Sequence, residues 1–555
     1  MPEIHRIEPA PESELASSAR VRMRDGVLLA ADVYLPGAPQ APDAEPGDTI
    51  LIRLPYDKSG EYCFIPEIAA YFMARGYRVV AQDVRGKFRS EGEALLFVNE
   101  VDDGYDTIEW IIRQPWSNGR VAMWGDSYYG YTQWAAAASG HPALMAIAPR
   151  VTGTGLGEPI RRVAGKRTRD VEWAVTYMYP LTQFFDSDMI HWEPDWSRRD
   201  FAAQAEEFMA QVGSRGLSYD QWYPNPVLLS RFPAGDAFAG RSVPALHTIG
   251  WWDNCAPLAW ADVDRIHRHP NWDAHHFLRL ESIDHEGFAL LDAEEDLVAE
   301  RSAEQVRDLL PRTLDPALAF FEIFVRGNGA ASDVPRVAWN LAGTEGERES
   351  ACWPPEGTRS VTRWATSEGT LVADEPGEEA TLSWTHDPDD VVPSAAPDAF
   401  SYLLHRPDEA PLGDRDDVLR FDSPPLAGDV DLAGPAAARV RFTSSGPTAD
   451  CFVRVLDVGP DGSALRIARG QLQLHGATEP ETLRIDLGHI GYRLRAGHRL
   501  RVHVCSSDFP EFLPQTGTGA DPWTWGETHR NTQSLVVGGP TGLALTLTVL
   551  EGDLP

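Results

Sequence analysis

Short apolar runs alternate with stretches of helical spacing through the first quarter of the chain. "VRMRDGVLLAADVYLP" (21–36) carries alternating or branched apolar residues on both sides of Asp25-Gly26 and predicts a β-hairpin. "DTILIRLP" (48–55) predicts a strand, and "PEIAAYFMARG" (66–76) a helix that stops at Gly76, the usual residue just past a helix end. "YRVVAQD" (77–83) and "GRVAMWGDS" (119–127) read as buried strands, while "DDGYDTIEWIIRQ" (102–114) and "YYGYTQWAAAAS" (128–139) read as helices. Strand and helix keep alternating, the pattern of a mainly parallel sheet covered on both faces.

The pattern breaks between about 150 and 240, where Arg, Trp, Tyr and Phe gather in segments such as "RDVEWAVTYMYPLTQFF" and "RRDFAAQAEEFMAQV". These predict a mostly helical insertion that caps the sheet. "VPALHTIGWWD" (243–253) and "HHFLRLESIDH" (275–285) then resume the apolar-strand style. Beyond about 330, short alternating strands separated by Gly, Pro and Asp predict an all-β sandwich or jelly roll. The expected layout is an α/β domain over 1–149 and 241–332, a helical cap over 150–240, and a β jelly roll over 333–555.

Composition narrows the partners. A chain of 555 residues exceeds one compact core. Its formal charge of −34 disfavours nucleic acid and anionic membranes. The basic cluster "RRVAGKRTR" (161–169) is local and reads as a solvated helix face. Five well-separated cysteines with no C-x-x-C pair argue against a disulfide framework. The beginning of the chain has no charged-then-apolar leader, and no run of about 18 apolar residues could span a bilayer. A soluble cytoplasmic protein is expected.

Candidate chemistry centres on "GDSYYG" (125–130), where a strand becomes a helix. Ser127 there is either a helix-capping residue or a nucleophile raised at the carboxyl edge of the sheet. The spacing exceeds the generic G-x-S-x-G elbow by one residue. A serine nucleophile needs a base with a carboxylate behind it, following in the order Ser, Asp, His on α/β-hydrolase sheets. Asp253 ends one downstream strand and His285 ends the next, which satisfies that order. Asp284 competes with Asp253. His275 and His276 begin their strand, His247 lies mid-strand and His191 lies in the cap, so His285 is favoured. The oxyanion donors would be the Tyr128 N–H, next after the nucleophile, and the Tyr56 hydroxyl in "RLPYDK".

Together "RLPYDK", "DVRGKFRSEG" (83–92), "GDSYYG", "GWWD" and the late histidine resemble the peptidase S15, cocaine esterase-like family of serine hydrolases. That family is related to X-prolyl dipeptidyl-peptidases and α-amino-acid ester hydrolases. Its nucleophile motif, G-x-S-Y-x-G, is met by Gly125, Ser127, Tyr128 and Gly130. The resemblance covers nearly the whole chain. It implies an α/β-hydrolase domain with a helical cap and a C-terminal jelly roll, with Ser127 as nucleophile, His285 as base and Asp253 as orienting carboxylate. It further implies an oxyanion hole from Tyr56 and Tyr128, with Trp173 in the cap lining the acyl pocket. The family's histidine usually follows G-x-W-x-H, whereas here Glu281-Ser282-Ile283-Asp284 precede it. Asp83 and Arg85 are scaffold candidates that would pair beneath the site.

The expected activity is cleavage of a small carboxylic ester or amide through an acyl-enzyme, without metal or cofactor. Homodimerisation is left open. One alternative is a peptidase, acylase or amino-acid ester hydrolase that grips a free ammonium through Asp126, Asp284 and Glu286. Another is a non-catalytic jelly-roll protein that binds carbohydrate.

Overall fold

The computed structural model describes residues 4–37, 45–60, 62–158, 167–224, 227, 229–285, 303–395 and 408–555. The chain divides into two compact units. The first takes 1–159, 177–193 and 209–338, and the second takes 160–176, 194–208 and 339–555.

The first unit begins with β1 (His5–Ile7) and the antiparallel hairpin β2 (Ser17–Arg22) and β3 (Leu28–Tyr34). Then come β4 (Gly47–Leu54), α1 (Ile65–Met73), β5 (Arg78–Asp83), α2 (Glu100–Ile112) and β6 (Ser117–Asp126). α3 (Ser127–Ala138) and β7 (Leu144–Arg150) complete the run. Every residue of β4 and β5 is buried, because helices cover both faces and no position along these strands meets water. After the insertion the sheet is extended by β10 (Ala245–Gly250) and β11 (His276–Glu281), both parallel to their neighbours. The strand order across this unit is β11-β10-β7-β6-β4-β5-β3-β2.

That order locates the site. β5 pairs on one side of β4 and β6 on the other, so the winding reverses at β4. Open α/β sheets bind ligands at the carboxyl ends of strands flanking such a reversal. Tyr56 follows β4 there and Ser127 follows β6. α3 is buried along nearly its whole length, Tyr128, Tyr129, Tyr131 and Trp134 filling space in its first half while Ala135, Ala136, Ala137 and Ala138 allow close approach in its second.

The insertion differs from the sequence expectation. It holds β8 (Thr168–Arg169), α4 (Val175–Thr182), β9 (Met189–His191), α5 (Phe201–Val212) and α6 (Leu217–Trp222). Within "RDVEWAVTYMYPLTQFF" only α4 is an α-helix, and Pro180 lies inside it. The preceding residues are extended: Ala174 N–H donates to Glu511 O at 3.0 Å, and Leu513 N–H donates to Glu172 O at 2.8 Å. Strand pairing within the second unit overrides local helix preference there. The 150–240 segment is divided between the two units, 160–176 and 194–208 belonging to the second. Of the basic cluster, 161–166 lie outside the described residues. Thr168 and Arg169 form a strand against Gln473 and Leu474, where a helix face was expected.

The second unit contains two antiparallel sheets, of seven and five strands. Strand Val430–Ser444 pairs with Glu481–Leu494, and strand Thr448–Val458 pairs with Ala464–His475 and Arg499–Cys505. Val440, Phe442, Val453, Val455, Val502, Val504, Leu545 and Leu547 share one core. The alternating pattern read from the sequence supplies these inward-facing residues.

Candidate active site

Gly125, Asp126 and Ser127 turn the chain from β6 into α3. Ser127 has φ +50°, a left-handed conformation that side-chain-bearing residues adopt only where the surroundings enforce it. Gly125 has φ +152°, and a Cβ there would lie 2.1 Å from Tyr129 Cδ2. The turn is braced by Gln133. Its Nε2 donates to Gly125 O at 3.1 Å, while its Oε1 accepts from Ala148 N–H at 2.9 Å, tying α3 to β6 and β7.

Two further loops converge on this turn. After β10, Trp251 N–H donates to Glu281 O at 2.9 Å and Trp252 N–H donates to Ile283 O at 3.2 Å. The loop ends of β10 and β11 are thereby zipped together. A Cβ on Gly250 would meet Ile283 O at 2.6 Å, so the approach requires glycine. Asp253 Oδ1 consequently lies 2.8 Å from His285 Nδ1 and accepts the Cys255 N–H at 2.9 Å. His285 Nε2 lies 2.9 Å from Ser127 Oγ. Asp253, not the adjacent Asp284, is the carboxylate at hydrogen-bond distance from the imidazole.

Burial works against charge on His285, but the Asp253 carboxylate hydrogen-bonded to Nδ1 at 2.8 Å outweighs it and holds the imidazole pKa above its ordinary value. Burial pushes the Cys255 thiol up. Asp253, Cys255 and His285 each offer a ligand atom, and these atoms lie within 4.8 Å of one another. This is the cluster with metal-holding spacing among the described residues, and its His and Asp atoms are already engaged with each other.

The Tyr128 N–H lies in the first turn of α3, whose amides have no intrahelical acceptor. Its phenol donates to Glu100 Oε1 at 2.8 Å, and Glu100 is paired with Arg53 Nη1 at 2.8 Å. Tyr56 is buried, and its ring packs edge-on to Tyr129 with centroids 6.3 Å apart. Its hydroxyl lies 2.6 Å from the hydroxyl of Tyr179.

The remaining candidate residues have the following surroundings. Trp173 belongs to the second unit, where it bridges Phe512 in the backbone and meets its ring edge-on at 5.4 Å. Asp83 and Arg85 do not pair with each other. Arg85 binds Asp103 at 2.6 Å and Asp25 at 2.7 Å, while Asp83 accepts the Lys58 N–H at 2.9 Å. Asp126 is ion-paired with Arg150 at 2.9 Å, and Asp284 is buried. Glu286 lies outside the described residues.

Sequence reading missed Tyr179, Gln133 and the Arg150–Asp126 pair. Asp126 sits in the nucleophile motif, but Tyr179, Gln133 and Arg150 lie outside it and reach the site only through the fold. Among the described residues no helix is long and apolar enough to cross a membrane. The described cysteines are free thiols.

Comparison with known proteins gives matches in both units. The family model "X-Pro dipeptidyl-peptidase (S15 family)" matches residues 25–277, and "X-Pro dipeptidyl-peptidase C-terminal non-catalytic domain" matches 328–542. The cocaine esterase of Rhodococcus sp. (strain MB1 Bresler) is 29% identical over 554 residues, covering 91% of this chain and 93% of its own. A putative serine esterase of Mycobacterium bovis is 36% identical over 151 residues, 24% of each chain. Among solved structures, an aminopeptidase from a marine sediment Thaumarchaeota archaeon superposes with a TM-score of 0.77 at 20% identity, covering 98% of both chains. An α-amino acid ester hydrolase gives 0.73 at 21% identity, over 97% of this chain and 98% of that one. At such identities the structural likeness speaks for the fold alone.

Proposed function

The chain belongs to the X-Pro dipeptidyl-peptidase S15 family of serine hydrolases, and from that premise we propose that it cleaves a carboxylic ester through an acyl-enzyme on Ser127. The observation that carries the proposal is the relay of 2.8 Å from Asp253 Oδ1 to His285 Nδ1 and 2.9 Å from His285 Nε2 to Ser127 Oγ. Asp253 accepts the Nδ1–H, which leaves Nε2 as the basic nitrogen facing the hydroxyl.

His285 Nε2 removes the Ser127 proton as Oγ bonds to the ester carbonyl carbon. The carbonyl oxygen becomes an oxyanion that accepts hydrogen bonds from the Tyr128 N–H and the Tyr56 O–H. The imidazolium then protonates the departing alkoxide, and the C–O bond breaks to leave an acyl-serine. Water gives its proton to Nε2, attacks the acyl carbon, and frees the carboxylic acid while Ser127 recovers its proton. Asp253 orients the imidazole through its hydrogen bond to Nδ1 and stabilises the imidazolium.

Ester cleavage is favoured over capture of a free ammonium by the Arg150–Asp126 pair. The carboxylate next to the nucleophile already has a cationic partner at 2.9 Å. That the relative spanning 91% of this chain is an esterase points the same way. Ser127→Ala should abolish p-nitrophenyl ester turnover and fluorophosphonate labelling while the fold survives; retained activity refutes the assignment. Comparing N-blocked with free aminoacyl esters separates the two substrate classes, because ammonium recognition requires that blocking remove activity.

A further inference from the structure

We propose that Tyr179 is a positioning residue for the oxyanion site, its hydroxyl donating to the Tyr56 oxygen so that the single Tyr56 proton is directed at the substrate. The inference rests on the reading of Tyr56 as an oxyanion donor. A phenol has one O–H to donate. At 2.6 Å the two hydroxyls must share one proton between them, and the direction of that bond decides whether Tyr56 can serve substrate. If Tyr56 donated to Tyr179, its proton would be consumed there. With Tyr179 as donor, the Tyr56 proton points elsewhere, and polarisation along the two-phenol chain makes it a better donor.

The surroundings hold Tyr179 in place. It lies in α4, its carbonyl accepts the Gln183 N–H at 2.8 Å, and its ring lies 5.9 Å from that of Phe184. Phe184 in turn stacks on Tyr128 at 5.1 Å, so both proposed oxyanion donors are packed through one aromatic cluster. Just beyond, the buried Lys87 ammonium donates to the carbonyls of Asp186 and Asp188, each at 2.8 Å, and lies 5.4 Å from the Phe184 ring. This latch anchors the chain immediately after α4 to the turn following β5. Burial holds the Tyr179 phenol well above its ordinary pKa, so it carries its proton wherever the enzyme works.

The experiment is a double-mutant cycle on p-nitrophenyl ester hydrolysis with Tyr56→Phe, Tyr179→Phe and the double variant, reading kcat and KM separately. Loss of one orienting hydrogen bond predicts that Tyr179→Phe lowers kcat by about 3- to 10-fold with KM little changed. Tyr56→Phe should lose on the order of 10²-fold, and the double variant should be no slower than Tyr56→Phe alone. Additive losses, or a Tyr179→Phe enzyme with full kcat, overturn the positioning role while leaving Tyr56 as donor. If Tyr56→Phe itself keeps full kcat, the oxyanion reading fails and the inference falls with it. Unchanged thermal unfolding of Tyr179→Phe ensures that kcat reports the missing hydroxyl and not a displaced helix.

Discussion

Gly130 makes the packing of the nucleophile turn testable, because two effects of replacing it by alanine have opposite signs. Gly130 lies inside α3, where alanine is favoured over glycine by about 1 kcal/mol. Against this, an added Cβ would stand 2.6 Å from Thr152 Cγ2, 2.9 Å from Thr152 Cβ and 3.0 Å from Arg150 O. Comfortable carbon contacts need about 3.5–4.0 Å. Rotating Thr152 removes the first clash but leaves its Cβ and the Arg150 carbonyl, which are fixed to the chain leaving β7. α3 must therefore move by roughly half an ångström or more, and overpacking of this kind costs about 1–3 kcal/mol.

The contact term outweighs the propensity term, and Gly130→Ala should be less stable by up to about 2 kcal/mol in equilibrium denaturation. The same shift reaches Ser127 one turn earlier, where the 2.9 Å separation from His285 has little slack. A fall in kcat of about 10- to 100-fold should follow. Adding Thr152→Ser deletes only Cγ2 and should recover part of both losses. Gly140→Ala is the control: its φ is +72° with nothing within 4 Å of the new Cβ, so it should cost about 1 kcal/mol of backbone strain and leave kcat alone. A Gly130→Ala enzyme as stable and active as the parent would refute the reasoning.

Because His285 must be neutral to accept the Ser127 proton and its pKa is raised, kcat/KM should fall on acidification with a midpoint above about 6.5; a pH-rate profile bending at or below that value contradicts the assignment. Arg53 donates from Nε to Gln82 Oε1 at 2.7 Å and pairs with Glu100 at 2.8 Å, all buried. Arg53→Ala strands that carboxylate and should cost about 3–5 kcal/mol, much of it recovered by adding Glu100→Gln; equal losses in the single and double variants would show that the stranded charge is not the cause. In the second unit, burial raises the Asp450 carboxyl to about 7. Ionising it therefore opposes folding increasingly as pH rises from about 4 to 7, the span between its unfolded and folded pKa values. Asp450→Asn should stabilise at pH 8, by at most about 4 kcal/mol, and give no gain near pH 3. Denaturation midpoints at the two pH values measure this.

The alternation of apolar runs with helical periodicity determined the α/β sheet, because each strand buried on both faces must be apolar throughout its own length, as β4 and β5 are. The Ser-Tyr-Gly spacing and the chain order of Ser127, Asp253 and His285 were equally legible, since each residue ends or follows a recognisable strand. Tertiary structure alone decided that Asp253 and not Asp284 faces the imidazole, because that depends on how the loops after β10 and β11 hydrogen-bond to each other. It also decided that the residues around Trp173 are extended and belong with the second unit, against their local helical preference. Tyr179 illustrates the remainder: 123 residues separate it from Tyr56, and only folding brings the two hydroxyls to 2.6 Å. Local propensity and periodicity are properties of neighbours in sequence, whereas hydrogen-bond partners in a site are chosen by strand order and loop geometry.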